Sequence, residues 1–288
     1  EDADVAFVSR DVTGLSTKHQ VLPDTQRFYD GLLNAPSLRW LHIHSAGADR
    51  LIYLDLRQRG VEVTTSSGAN AGVVVQTALA AMLALARRFP QLMTAQRDRR
   101  WAPLMGSGLP RDLAGQTAVI VGWGPIGQGL GALLRMLGLR VRVVRGSSAP
   151  VDRGTETVTF EDIGRVLPQA DWLVLACPLT SRTRHLIDAA ALALLPPDAQ
   201  LVNVARGEVV HEAALIDALR AGSLAGAYLD VFEQEPLSAA SPLWSLDNVI
   251  VTPHSAGHSD GNEKRVAALF LDNLGRWHRG ESLLHRVA

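Results

Sequence analysis

Residues 119–129, VIVGWGPIGQG, restrict the chain more than any other stretch. A run of apolar, mostly β-branched residues leads into a glycine-rich turn and then into the opening of a helix. Gly122, Gly124 and Gly127 stand in G-x-G-x-x-G spacing. Gly122 permits the tight turn, Gly124 lets the backbone approach a pyrophosphate, and Gly127 lets the helix lie close to the sheet. The N–H groups free at the helix start, beside Pro125 and Ile126, then face the phosphates. The segment predicts a strand–turn–helix unit that holds a dinucleotide. A purely structural glycine turn is the competing reading.

The flanking pattern extends this unit. Strands are expected at residues 118–121, 141–144, 172–176, 201–204, 225–230 and 249–252, with helices at 128–137 and 212–221. Strands alternating with helices imply an α/β fold with a doubly wound parallel sheet. Upstream, strands at 5–9, 38–44 and 61–65 and an amphipathic helix at 51–59, closed by Gly60, describe a smaller α/β lobe. The alanine-rich run at 71–88 reads as one helix buried on most sides, 101–108 as a loop or arm, and 262–278 as a final helix. A length of 288 residues suits two lobes.

Composition excludes several partner classes. Net charge is -1, which gives no electrostatic case for nucleic acid or a membrane surface. No run of about 18 apolar residues occurs without charges, so neither a membrane span nor a signal peptide is expected. The single cysteine, Cys177, allows no internal disulfide and fits a reducing, cytoplasmic compartment. No metal site is expected.

The strand after the glycine loop bears on which dinucleotide binds. An acidic residue at its end bonds the ribose hydroxyls of NAD. Here the text is LRVRVVRGSS, with Arg145 at that position and Ser147 and Ser148 following. An arginine attracts a 2′-phosphate and the serines can donate to it, so NADP(H) is preferred and NAD(H) remains possible. A merely solvated strand-end arginine is the alternative.

Three later segments, VNVARGEVV, LDVFEQEPL and VTPHSAG, supply Arg206, a carboxylate before a proline at Glu235, and His254. Arginine grips a carboxylate with two hydrogen bonds. Histidine exchanges protons near neutral pH, and a neighbouring carboxylate holds it charged. That is equipment for reducing a 2-keto acid. In sequence order and motif the chain resembles the D-isomer-specific 2-hydroxyacid dehydrogenase family, which includes glyoxylate and hydroxypyruvate reductases.

The resemblance implies a Rossmann-type domain at 74–258 and a smaller flavodoxin-like substrate lobe at 1–73 and 259–288. That lobe is expected to lack its first β-α unit, because the opening residues look like the second strand of the series and the natural N-terminus is read as missing. It further implies that Arg206 binds the substrate carboxylate and keto oxygen, that His254 exchanges the proton, and that Glu235 pairs with His254, with Glu233 as the competing carboxylate. Backbone N–H groups of Ser45, Ala46 and Gly47 are implied to bind the carboxylate from the small lobe, placing substrate in a cleft. Cofactor contacts are implied for the Gly122–Gly127 loop, Cys177, Pro178, Thr183, Val204, Ala205, Asp230, Ala256 and Gly257, with Cys177 as an apolar wall rather than a nucleophile. His44, Tyr53 and Trp244 are candidates for the rest of the substrate. One departure stands out: the family's Val-Ala-Glu at a helix start reads Val74-Val75-Gln76, so an altered helix start is expected. Partners implied are a small 2-keto or 2-hydroxy acid and a second copy, a homodimer. The alternative is a non-catalytic dinucleotide sensor or corepressor, which need not keep Arg206, Glu235 and His254 together. Formate dehydrogenase, a related enzyme, carries glutamine where Glu235 stands.

Overall fold

The structure is a computed structural model that describes residues 3–287. It divides into two compact units, residues 1–71 with 258–288, and 72–257.

The first unit opens with β1 (Val5–Val8), a short α1 (Arg10–Thr13) and α2 (Pro23–Leu33), followed by β2 (Trp40–Ile43), α3 (Leu51–Gln58) and β3 (Glu62–Thr65). The three strands pair in parallel in the order β1-β2-β3. Every residue of β2 is buried, as expected of a central parallel strand covered on both faces.

The second unit holds α4 (Ala71–Ala86), α5 (Phe89–Arg97), β4 (Thr117–Val121), α6 (Pro125–Met136), β5 (Arg140–Arg145), β6 (Thr157–Thr159), β7 (Trp172–Leu175), α7 (Ala189–Ala193), β8 (Gln200–Asn203), α8 (Glu212–Ala221), β9 (Gly226–Leu229) and β10 (Val249–Val251). The chain then returns to the first unit through α9 (Asn262–Arg279). The seven-stranded sheet runs β10-β9-β8-β7-β4-β5-β6, all parallel. Strand order reverses at β4 and β7, the switch point where such sheets take ligands beyond the carboxyl ends of their strands.

Side-chain alternation explains the double winding. Val119 and Val121 of β4 pack into one core with Leu173, Leu175, Leu201 and Leu215. Ala118 and Ile120 pack into the other with Trp172, Val174, Val202 and the α4 and α6 residues Met82, Leu130 and Leu134. Both faces are therefore apolar, and helices must cover each. Within the second core the Trp172 indole donates to Gln116 Oε1 at 2.6 Å, which satisfies the polar atom that burial would otherwise strand.

Several boundaries differ from the sequence reading. The run at 71–88 does not end as one helix. Arg88 takes φ +54° and Pro90 follows at the next helix start, so α4 stops at Ala86 and a separate α5 begins. No single helix among the described residues is long and apolar enough to cross a membrane; α4 and α5 pass that test only together, and they meet at a 70° bend. The expected shift at the start of α4 is also corrected. The helix begins at Ala71, so Gln76 lies beyond its first turn, exposed at the surface. Helix α6 starts at Pro125, earlier than the expected residue 128, because proline's fixed φ and missing N–H suit the first helical position.

Candidate active site

The glycine loop joins β4 to α6, and its three glycines occupy three distinct environments. Gly122 has φ +100°, and a Cβ there would lie 2.6 Å from the Ala176 carbonyl oxygen and 2.7 Å from the Cys177 nitrogen. A Cβ on Gly127 would overlap the Gly122 carbonyl oxygen. At Gly124 nothing lies within 4 Å of the Cβ position. The first and third glycines are thus required by the protein's own packing, whereas Gly124 presents bare backbone to open space at the N-terminus of α6. That cradle fits a dinucleotide pyrophosphate.

Arg145 closes β5, half-buried, with Ser147 and Ser148 exposed beyond it. Its guanidinium has no hydrogen-bond or ion-pair partner among the described residues. A second arginine, which the sequence did not mark, reaches the same loop. Arg182 forks onto Glu161 with bonds of 3.0 and 2.9 Å and approaches the Gly146 carbonyl oxygen at 3.5 Å.

The loop after β7 carries Cys177, whose thiol is buried, and burial pushes its pKa up to about 12. Its thiol therefore stays protonated and carries no thiolate chemistry. Thr183 is fully buried; its hydroxyl donates to the Pro178 carbonyl oxygen at 2.7 Å and accepts the Thr180 N–H at 2.8 Å, which shapes the loop around Pro178. Val204 and Ala205, after β8, are also buried.

The arginine, glutamate and histidine come from the carboxyl ends of three adjacent strands. Arg206 follows β8, Glu235 follows β9 and His254 follows β10. His254 Nδ1 lies 2.8 Å from Glu235 Oε2, and the other carboxylate oxygen accepts the Phe232 N–H at 3.1 Å. The Glu235 side chain is 12% exposed and that of His254 50%. Burial raises the Glu235 pKa, but the bond to His254, the charge of that imidazole, the Phe232 N–H and the Arg206 guanidinium together bring it below the usual carboxylate value. The Glu233 carboxylate points elsewhere, to His185 Nε2 at 2.9 Å and the Glu212 N–H at 3.2 Å.

Two supporting roles escaped the sequence reading: the seat of Gly207 and the bracing by Asp230, a residue expected there only as a cofactor contact. A Cβ on Gly207 would overlap the Phe232 carbonyl group and the Glu233 nitrogen, so the Arg206 loop can seat against the Glu235 loop only with glycine there. Its sequence signal was the Arg-Gly pair. Asp230, 3% exposed, accepts from the Thr252 hydroxyl at 2.6 Å, the Ser255 N–H at 2.7 Å and the Ala256 N–H at 3.0 Å. Its carboxylate braces the segment that carries His254, Ala256 and Gly257.

In the first unit, the segment Ser45, Ala46 and Gly47 follows β2, tied by a Ser45 hydroxyl bond to the Gly47 carbonyl oxygen at 2.8 Å. Its three backbone N–H groups have no hydrogen-bond acceptor among the described residues. Tyr53 corrects an expectation: it is 1% exposed in that unit's core and faces Tyr29, so it is closed to ligands. The His44 ring is held to about pH 4 by burial, against the Val8 carbonyl bond that raises it, with Arg10 and Arg50 lowering it further. Trp244 is half exposed, its indole donating to the Ser238 carbonyl oxygen at 2.9 Å.

Comparison with known proteins decides the family. Residues 79–256 match the family model described as D-isomer specific 2-hydroxyacid dehydrogenase, NAD binding domain. The chain belongs to the D-isomer-specific 2-hydroxyacid dehydrogenase family. Among its relatives is a glyoxylate reductase of Korarchaeum cryptofilum, 35% identical over 254 residues, spanning 86% of this chain and 75% of the relative. A glyoxylate reductase of Pyrococcus furiosus is 36% identical over 258 residues, with 86% and 75% covered. A D-isomer specific 2-hydroxyacid dehydrogenase from Xanthobacter autotrophicus Py2, solved in complex with NADPH and MES, superposes with a TM-score of 0.70 at 38% identity, covering 79% of this chain and 92% of that one. This family member is accordingly an oxidoreductase of 2-hydroxy acids with a nicotinamide dinucleotide cofactor.

Proposed function

We propose that this dehydrogenase reduces a small 2-keto acid to its D-2-hydroxy acid, prefers NADPH, and takes the proton from His254. The observation that carries the reading is the 2.8 Å pair of His254 Nδ1 and Glu235 Oε2, with the charge of Arg206 bearing on the same carboxylate. Glyoxylate-reducing relatives support the substrate class.

When bound, the nicotinamide supplies the hydride. Arg206 holds the substrate carboxylate and the keto oxygen through its planar fork. Nδ1 of His254 faces Glu235, so Nε2 is the nitrogen left to meet substrate. The Glu235 carboxylate stabilises the imidazolium, which gives its proton to the keto oxygen as charge develops there. In the oxidative direction the neutral ring takes that proton back. The nest at Ser45, Ala46 and Gly47 binds the carboxylate through backbone N–H groups. Arg145, Ser147 and Ser148 meet the 2′-phosphate, and the unpartnered guanidinium of Arg145 supports that assignment. A homodimer is the expected assembly. Trp101 is 96%, Met105 79% and Leu109 71% exposed, an apolar arm that a second copy would cover.

The test is a spectrophotometric screen of glyoxylate, hydroxypyruvate, pyruvate and phenylpyruvate with NADPH and with NADH. Turnover of at least one acid with a higher kcat/KM for NADPH is expected. No turnover of any 2-keto acid would overturn the catalytic reading; equal kcat/KM for the two cofactors would overturn the NADP preference alone.

A further inference from the structure

Beneath the Ser45–Gly47 nest, four side chains form one directed hydrogen-bond chain. The Trp40 indole donates to Thr64 Oγ1 at 2.8 Å. At the other end the Ser66 hydroxyl gives its one proton to the Ile43 carbonyl oxygen, so it accepts from His42 Nε2–H, and the neutral ring accepts the Thr64 hydroxyl proton at Nδ1, 2.8 Å away. His42 therefore carries its proton on Nε2, which donates to Ser66 Oγ at 3.0 Å. Ser66 in turn donates to the Ile43 carbonyl oxygen at 3.0 Å. Trp40, His42 and Thr64 are fully buried and Ser66 nearly so, so each bond replaces one that water cannot make.

The chain ends at the nest. Besides its hydroxyl bond to Ile43, Ser66 donates its backbone N–H to the Ser45 carbonyl oxygen at 3.0 Å. Ser66 thus clasps the end of β2 on both sides of His44, and His42 fixes the rotamer of the Ser66 hydroxyl. His42 lies opposite Thr64 in the register of β2 and β3, which locks its ring from the other side. Burial first, then the neighbouring His285 and His44, hold the His42 pKa down to about 4, which keeps the neutral tautomer that this chain of bonds requires.

We propose that His42 and Ser66 are positioning residues that set the Ser45, Ala46 and Gly47 N–H groups for the substrate carboxylate. The inference rests on the reading of that segment as a carboxylate seat. A glutamine at position 42 can offer a donor where Nε2 stands, toward Ser66. An asparagine offers an acceptor near Nδ1, toward Thr64, and abandons Ser66.

The experiment compares H42Q, H42N, S66A and A46P with the parent, using the best substrate of the screen above. It reads KM, kcat, NADPH Kd and Tm. H42N and S66A should raise the keto-acid KM on the order of fivefold, as one lost hydrogen bond allows, with kcat and NADPH Kd at parent values. H42Q should keep the parent KM even where its Tm falls. A46P, which removes one nest N–H, should raise KM in all circumstances where the segment seats the carboxylate. If A46P raises KM but S66A and H42N do not, the positioning role is overturned and the carboxylate seat stands. If A46P leaves KM unchanged, the carboxylate seat itself fails, and the inference with it. If H42N and H42Q raise KM equally and in step with lost Tm, His42 is a structural core residue only.

Discussion

His254 holds its backbone at φ +52°, a conformation that costs a non-glycine residue free energy unless its surroundings enforce it. The enforcement is visible: the His254 N–H donates to the Asp230 carbonyl oxygen at 2.8 Å, and the Asp230 carboxylate binds the next two N–H groups. The ring is thereby aimed before any substrate arrives. His254→Ala should leave NADPH binding intact and lower kcat about 100-fold or more, the loss expected of a removed general acid; parent-like turnover would require another proton donor. Glu235→Gln keeps the shape and removes the charge that favours imidazolium. Keto-acid reduction needs the protonated ring, so its alkaline limb in a kcat/KM profile should move to lower pH; a limb that stays or moves up would dismiss Glu235 from this role. Arg145→Asp should flatten or reverse the NADPH preference by about 10-fold or more, the worth of one charge-assisted bond, read as the ratio of kcat/KM values. Arg206, Glu235 and His254 were legible in the sequence because each sits in a short local motif. The bracing by Asp230 and the tight seat of Gly207 were not, because they depend on atoms brought close only when neighbouring strands pair.

The elements divide in the same way. Strands β4, β5, β7, β8, β9 and β10 were readable from apolar runs that two covered faces demand. Strand β6, at the sheet edge, is only three residues long, and α2 carries its apolar residues, Phe28, Tyr29, Leu32 and Leu33, only in its second half. The break between α4 and α5 lay hidden inside one apolar run, because the left-handed turn at Arg88 leaves no mark except the later Pro90. At the glycine loop the element-level expectation becomes a paired test. Gly124→Ala meets no atom within 4 Å and has an ordinary φ of -78°, so the fold should keep its Tm. Its new methyl group would stand in the pyrophosphate cradle and weaken dinucleotide binding about tenfold, on the scale of one lost hydrogen bond. Gly127→Ala must displace the Gly122 carbonyl and should lower Tm as well. Equal losses of Tm in the two variants, or parent dinucleotide affinity in Gly124→Ala, would refute the assignment of that open space to the cofactor.

At the scale of the whole molecule, the two units are built on different polar chemistry. The larger sheet buries chiefly aliphatic side chains, whereas the smaller buries His42 at its centre and half-buries His44 at its edge. Both histidines have folded pKa values near 4 against 6.5 for a free imidazole, lowered first by burial. Well above pH 6.5 both states are neutral there, so neither histidine gives stability any pH dependence. As pH falls below 6.5 the unfolded chain takes up protons that the folded unit refuses, and stability declines until the folded groups also titrate near pH 4. Each pKa unit of difference is worth about 1.4 kcal/mol, so His42 alone can remove about 3 kcal/mol over that window. His44 acts in the same direction, though the two rings influence each other and their losses need not add. Acidification from pH 7 to pH 5 should therefore lower the unfolding midpoint, and amide protection factors, corrected for the pH dependence of intrinsic exchange, should fall in β1, β2 and β3 before they do in β4 and β7. His42→Gln removes the titrating group, so its midpoint, whatever its value at pH 7, should fall less steeply over the same range. An unchanged slope in that variant, or protection factors that fall first in the larger sheet, would show that acid lability arises elsewhere.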